Sequence, residues 1–299
     1  MPLSLVGSEM CIRDSILIVG LGLIGGSIAK KIKEIDYSAN VYGFEKNLEI
    51  LKEANKKGLV TNDKEIDLKN SKNLLVIFCV PVLSFKQALN SVKKHLPSQN
   101  IIFTDTLSTK TEIFNTLSNE FNGILGNFVL SHPIAGSEKS SLYNSKKALF
   151  ENKVVVISPH EKNNQNDIDK VINFWRLLGS SSKILSYKDH DFLFSKTSHL
   201  PHVISYSLTE SLFKNLGDKT FDFSGGSLED YTRIASSDPL MWKDIMISNH
   251  QNILESIEDF EESLTNLKGL IQKKDEKALV DYFKRVKILR DNSVKSDEL

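Results

Sequence analysis

Cysteine is nearly absent from this 299-residue chain, in which only Cys11 and Cys79 occur. Two thiols cannot make a disulfide framework or a cysteine metal centre, and Cys79 falls inside an apolar run of strand character. A reducing, cytoplasmic setting is the expectation. Net charge is also absent, since 38 basic residues meet 38 acidic ones and neither sign dominates a long stretch. No electrostatic case arises for nucleic acid or a membrane surface, and a small molecule is the expected partner. No apolar run approaches the roughly 20 residues of a transmembrane helix. Residues 1–15 lack the basic start and long apolar core of a signal peptide and show no clear period, so a disordered or non-native leader is expected there.

Glycine is where the chain becomes informative. The run Ile16-Leu-Ile-Val-Gly20-Leu-Gly22-Leu23-Ile24-Gly25-Gly26-Ser27 is a buried-strand pattern that breaks into a glycine turn and continues as a helical period from Ile24 to Ile35. In this arrangement Gly20 allows the tight turn, Gly22 lets the backbone approach a pyrophosphate and Gly25 lets the helix lie close to the sheet. The helix N-terminus offers amides to phosphate, so Leu23 and Ile24 join the cofactor candidates. A second strand, Asn40 to Phe44, ends at Glu45, twenty residues beyond Gly25, where a ribose hydroxyl is bound in such folds. A carboxylate there accepts from ribose and repels the extra phosphate of NADP, which favours NAD over NADP; Lys46 offsets that repulsion in part.

Further on, a helical stretch at Leu48–Lys57 precedes the apolar run Leu74–Val80, which Pro81 stops. This reads as a strand buried on both faces. Helix Ser84–His95, strand Ile101–Thr104, helix Lys110–Phe121, strands Ile124–Leu130 and Lys153–Ile157, helix Asn166–Leu178 and strand Lys183–Leu185 follow. The alternation is that of an α/β, doubly wound parallel sheet over residues 16–184. From there to residue 292 the pattern turns helical, and 293–299 reads as a tail. The second domain carries a stripe of Ile253, Leu254, Ile257, Phe260, Leu264 and Leu267 that must be buried, within the chain or against a second subunit.

Ligands in such folds bind at the carboxyl edge of the sheet. Val80 and Pro81 after the third strand and Asp105 after the fourth are therefore further cofactor candidates. Ser131-His132-Pro133-Ile134-Ala135-Gly136-Ser137-Glu138 follows the fifth strand, which places His132 on that edge as a candidate base with a pKa suited to taking a hydroxyl proton. Ser108 and Lys110 after the fourth strand bring a hydroxyl and an ammonium to the same edge, although Ser108 also suits a helix cap. The helical domain adds His190-Asp191, Ser198-His199-Leu-Pro201-His202 and the stretch from Asp230 through Arg233 to Trp242. A metal site is not expected, because His199 and His202 do not form a His-Glu-x-x-His pair and Pro201 disfavours a regular helix through both. Arg233 suits a substrate carboxylate, which its planar fork matches with two hydrogen bonds.

Four ordered motifs, Gly20–Ser27, His132–Glu138, Ser198–His202 and Thr232–Trp242, resemble the prephenate/arogenate dehydrogenase family of tyrosine biosynthesis over about Ile16 to Asn292. The resemblance implies a Rossmann domain, an all-α dimerisation domain and oxidative decarboxylation of a cyclohexadienyl substrate with hydride transfer to NAD. It implies that His132 assists deprotonation of the ring hydroxyl, that Ser108 lies near hydroxyl and nicotinamide, and that Arg233 holds a carboxylate. His202 would line the substrate pocket, with His199 and Lys110 beside it. Glu138, His190 and Asp191 would gate access, and Trp242 would reach the partner subunit's pocket. Two places depart from the family pattern: Gly225-Gly226-Ser227-Leu228-Glu229, where Glu229 replaces a positive charge, and Leu107-Ser108-Thr109-Lys110. Two other readings remain open, a β-hydroxyacid or imine reductase with the same two-part build and a non-catalytic NAD-binding regulator.

Overall fold

The computed structural model describes residues 15–64, 66–121, 125–136, 141–222 and 224–295. Nearly all of the anticipated leader and the candidate Glu138 lie outside the described residues. Seven strands form one sheet: β1 (Ser15–Val19), β2 (Asn40–Phe44), β3 (Leu74–Phe78), β4 (Ile101–Asp105), β5 (Phe128–Pro133), β6 (Val154–Ser158) and β7 (Ser181–Ile184). Their spatial order is β2-β1-β3-β4-β5-β6-β7. Helices α1 (Leu23–Glu34), α2 (Leu48–Lys56), α3 (Phe85–Lys93), α4 (Thr111–Glu120) and α5 (Gln165–Leu177) alternate with the strands. After them come α6 (Tyr187–Phe194), a π-helical turn at Ser195–His199, α7 (Leu200–Leu216), α8 (Gly226–Arg233), α9 (Pro239–Ser248), α10 (His250–Lys273) and α11 (Glu276–Lys295).

Side-chain alternation in the central strands builds the layers. Ile16 and Ile18 face a core completed by Ile28 and Ile32 of α1, Leu51 of α2 and Val171 and Trp175 of α5. Leu17 and Val19 face the opposite core with Phe85, Leu89 and Val92 of α3 and Ile113 and Leu117 of α4. Every residue of β1 and β3 is buried, which is why both read as unbroken apolar runs rather than alternating ones. Both edge strands are more exposed: β2 alternates and β7 is largely open.

The sheet is not wholly parallel as anticipated. Strand β6 runs antiparallel to β5, pairing His132 with Val156. A parallel return needs a long crossover, normally a helix, and the described part of the β5–β6 connection holds only the 3-10 turn Leu142–Asn144. Strand β5 also begins later than the anticipated 124–130 and extends through Pro133, so His132 lies in the strand itself rather than after it.

The change from alternating to purely helical elements falls between β7 and α6. Compactness divides the chain elsewhere, into one unit ending at His250 and another from Gln251 onward. The first unit therefore includes α6 to α9 along with the sheet. The second consists of α10 and α11 around a turn where Lys274 has φ 51°. Helix α11 reaches Lys295, beyond the anticipated start of the tail at 293. Among the described residues no helix is long and apolar enough to cross a membrane.

Candidate active site

Parallel pairing of β2, β1, β3, β4 and β5 brings their carboxyl ends to one edge. The glycine turn follows β1, Cys79 to Pro81 follow β3, Thr106 to Lys110 follow β4, and His132 stands near the end of β5. Gly20 has φ +95°, and a Cβ there would lie 2.5 Å from the Cys79 carbonyl oxygen. A Cβ on Gly25 would lie 2.0 Å from the Gly20 oxygen, whereas one on Gly22 would meet nothing within 4 Å. Helix α1 begins at this turn with no side-chain cap and no acid in its first turn. A helix N-terminus left this way, with open space at Gly22, suits a phosphate group. Glu45 closes the other side: its Oε2 accepts from Leu21 N at 2.8 Å and its Oε1 from Asn47 N at 3.1 Å. The chain's own residues thus fit a dinucleotide at Gly20 to Gly25 and Glu45, with Val80 and Pro81 on the neighbouring loop.

His132 is half-buried, and its Nδ1 lies 2.8 Å from Nε2 of His190. Nδ1 of His190 in turn lies 2.8 Å from Oδ1 of Asp191. Phe194 stacks on the His190 ring at a centroid distance of 4.4 Å and flanks His132 at 5.2 Å. Burial pushes the His132 imidazole well below its ordinary pKa, and the neighbouring His190, Lys110 and His199 act in the same direction. The ring is a neutral base at ordinary pH. Burial likewise lowers His190. For Asp191 burial works upward, but hydrogen bonds from His190 and Thr111 outweigh it and hold the carboxyl below its usual range.

Asp191 also caps α4. Its two oxygens accept from the backbone amides of Lys110 and Thr111, each at 2.8 Å. Ser108 is not the cap it might have been; it remains partly exposed in the loop between β4 and α4, on the same edge as His132.

Three of the expected assignments fall on fully buried side chains. The Lys110 ammonium is fully buried, ion-paired to Asp105 and bonded to the Ser131 carbonyl at 2.7 Å, so it is not offered to a substrate carboxylate. Asp105 is equally buried and accepts from Lys110, from Ser131 N and from Leu107 N, so it supports the loop rather than reaching a cofactor. Desolvation is the cause: a carboxylate buried at the end of β4 is costly unless a cation joins it. His190 and Asp191 are likewise fully buried, which places them behind His132 and not at an entrance.

His199 and His202 both pack on Trp242. His199 is buried, with Nδ1 3.2 Å from the Asn249 amide nitrogen, and burial lowers its pKa to about 4. His202 lies beyond the change in winding from π to α, with Pro201 in the first turn of α7, where a missing amide hydrogen costs least. Its ring stacks on Trp242 at 3.6 Å. Trp242 is buried, and its indole Nε1 has no hydrogen-bond partner among the described residues. An orphaned donor of this kind fits an oxygen-bearing ligand. Burial lowers the His202 pKa, and the charge of Arg233, exposed at the end of α8, pushes the same way. Asn249, which also donates to the Asp191 carbonyl, and Phe194 had no motif to reveal them; both depend on how the helices pack.

Comparison with known proteins agrees with this geometry. Residues 28–184 match the family model "Prephenate dehydrogenase, nucleotide-binding domain", and residues 186–285 match "Prephenate dehydrogenase, dimerization domain". The curated prephenate dehydrogenase of Bacillus subtilis (strain 168) is 30% identical over 282 residues, which span 93% of this chain and 76% of that protein. The cyclohexadienyl dehydrogenase of Zymomonas mobilis is 30% identical over 282 residues, 92% of this chain and 94% of that one. Among solved structures, the Aquifex aeolicus prephenate dehydrogenase with hydroxyphenyl propionate and NAD+ superposes with a TM-score of 0.82 at 33% identity, covering 93% of this chain and 98% of that chain. The chain therefore belongs to the prephenate dehydrogenase family of oxidoreductases.

Proposed function

We propose that this protein catalyses the oxidative decarboxylation of prephenate, arogenate or both in tyrosine biosynthesis, giving 4-hydroxyphenylpyruvate or tyrosine, with NAD as cofactor. The observation that carries the reading is His132, a neutral imidazole on the sheet edge where the glycine turn also opens. Nicotinamide, when bound, supplies the hydride acceptor. His132 would take the ring hydroxyl proton as hydride leaves ring carbon 4 for the nicotinamide, and once the ring carboxylate departs as carbon dioxide His132 would return that proton to the ring oxygen, giving the neutral phenol. Ser108, on the same edge, assists at the hydroxyl. Arg233 clamps a carboxylate of the substrate, and the Trp242 indole, which the family resemblance would send into the partner subunit's pocket, stands instead against His202 of its own chain and donates to a substrate oxygen there.

NAD is favoured over NADP because the Glu45 carboxylate is fixed beside the glycine turn. Lys46, the residue able to offset that charge, instead donates to the Gln87 side chain at 3.0 Å. Glu229 stands in the first turn of α8, where an acid favours the helix. The dinucleotide-binding domain extends over about 16–184 and the helical domain over 185–292, and the latter pairs two copies into a homodimer in the cytoplasm. The similarity to the Aquifex aeolicus enzyme, whose structure holds NAD+, supports the cofactor. Initial rates of NADH or NADPH production with prephenate and arogenate, each under both cofactors, test this. Turnover with NAD that His132→Asn abolishes is expected; wild-type protein inert with both substrates and both cofactors would overturn the reading.

A further inference from the structure

His132, His190 and Asp191 form an unbroken chain of hydrogen bonds that ends on the first amides of α4. We propose that His190 and Asp191 are positioning residues that fix His132 as the Nδ1-protonated tautomer and leave Nε2 as its only proton acceptor. The inference rests on the reading of His132 as the base.

Proton accounting decides the tautomer. Asp191 accepts hydrogen bonds from Lys110 N, Thr111 N and His190, and an ionised carboxylate has no proton to give. His190 must therefore carry its proton on Nδ1. Because burial keeps His190 neutral, its Nε2 holds only a lone pair. The group 2.8 Å away, Nδ1 of His132, must then be the donor. A neutral His132 with a proton on Nδ1 has none on Nε2, and Nε2 is the base. The free imidazole prefers the opposite tautomer, so the protein has to impose this one.

The same chain accommodates the product of the step. When Nε2 takes a proton, the imidazolium keeps its Nδ1–H bond to His190, and the Asp191 charge lies one ring farther on. Among the described residues the charged and titratable groups around the chain are Asp105 from the end of β4, Lys110 from the β4–α4 loop, His199 from the π-helical turn and, beyond it, His202. Lys110 opposes the imidazolium and is itself neutralised by Asp105, which leaves Asp191 as the carboxylate that the histidine chain meets. The role differs from gating: it requires burial, and both residues are fully buried.

Nitrogen-15 spectra of the substrate-free protein, with His132 assigned by its loss in His132→Asn, read the tautomer directly. A pyrrole-type Nδ1 and a pyridine-type Nε2 are expected in the wild type. In His190→Phe, which keeps a flat ring against Phe194 but accepts nothing, His132 reverts towards the Nε2–H form. The kcat then falls on the order of 100-fold, as for a mispositioned reacting group, while KM changes little. His190→Gln, whose amide oxygen can accept from Nδ1–H, recovers part of the rate. Asp191→Asn removes the charge that favours the imidazolium and moves the acid limb of the kcat/KM profile to lower pH. A wild-type His132 protonated on Nε2 would overturn the proposal, as would His190→Phe with unchanged tautomer and kcat. Should His190→Phe not fold, the wild-type spectrum alone decides. That spectrum needs no turnover, so an inert enzyme with the expected tautomer would count against the proposed function and not against the positioning.

Discussion

Lys110 is a charged side chain held entirely inside the protein at the edge of the candidate site. Its ammonium bridges Asp105 and the carbonyl of Ser131, the residue before His132, with no exposed surface. Removing one member of such a pair strands the other in a medium that solvates charge poorly. Lys110→Met is expected to lose about 3–5 kcal/mol of stability, with Asp105→Asn in the same chain recovering part of it. Urea unfolding of the two single variants and the double variant measures the coupling, and additive losses would mean that the pair does not interact. The burial of Lys110 was not legible in the sequence, because nothing in Leu107-Ser108-Thr109-Lys110 says which way the stem turns. His132 was legible, since its position at a strand end follows from the apolar run before it. Its link to His190 depends on α6 folding back across the β4–α4 loop, and no local pattern encodes that.

At the scale of the element, the glycine turn separates two demands on one motif. Gly25 is needed by the fold, because any Cβ collides with the Gly20 oxygen at 2.0 Å. Gly22 faces open space, so its smallness serves whatever approaches from outside. Gly22→Ala is therefore expected to unfold at nearly the wild-type temperature while binding NAD more weakly, and Gly25→Ala to lose stability and binding together. Thermal melts with and without NAD separate the cases; a Gly22→Ala protein that binds NAD with wild-type affinity would remove that residue from the site. The strands were legible where burial on both faces makes an apolar run, as in β1 and β3. The antiparallel return of β6 was not, because direction is set by the connection after Pro133 and not by the residues of Val154–Ser158.

Across the whole molecule, burial shifts histidines in one direction. His132, His160, His190, His199 and His202 are all lowered, His199 to about 4. The unfolded chain takes up protons at these sites near the ordinary value of about 6.5, which the folded protein resists. Their contribution to stability is therefore complete above that pH and is lost as pH falls from about 6.5 towards 4. Melting temperatures measured between pH 7.5 and 4.5 are expected to drop steadily; a maximum near pH 5 would contradict the shifts. The exposed apolar side chains of α10, Leu254, Leu264 and Ile271 among them, carry a second expectation. If they seat a second copy, Leu264→Glu with Ile271→Glu yields a species of half the mass in sedimentation, and an unchanged mass would place the interface elsewhere. The carboxylate of Asp191 joins these scales. Because it holds the Lys110 and Thr111 amides as well as His190, those two amides carry a record of the proposed catalytic centre: their hydrogen-exchange rates should quicken whenever the histidine chain loosens, giving a solution probe of order at the candidate site that needs neither substrate nor cofactor.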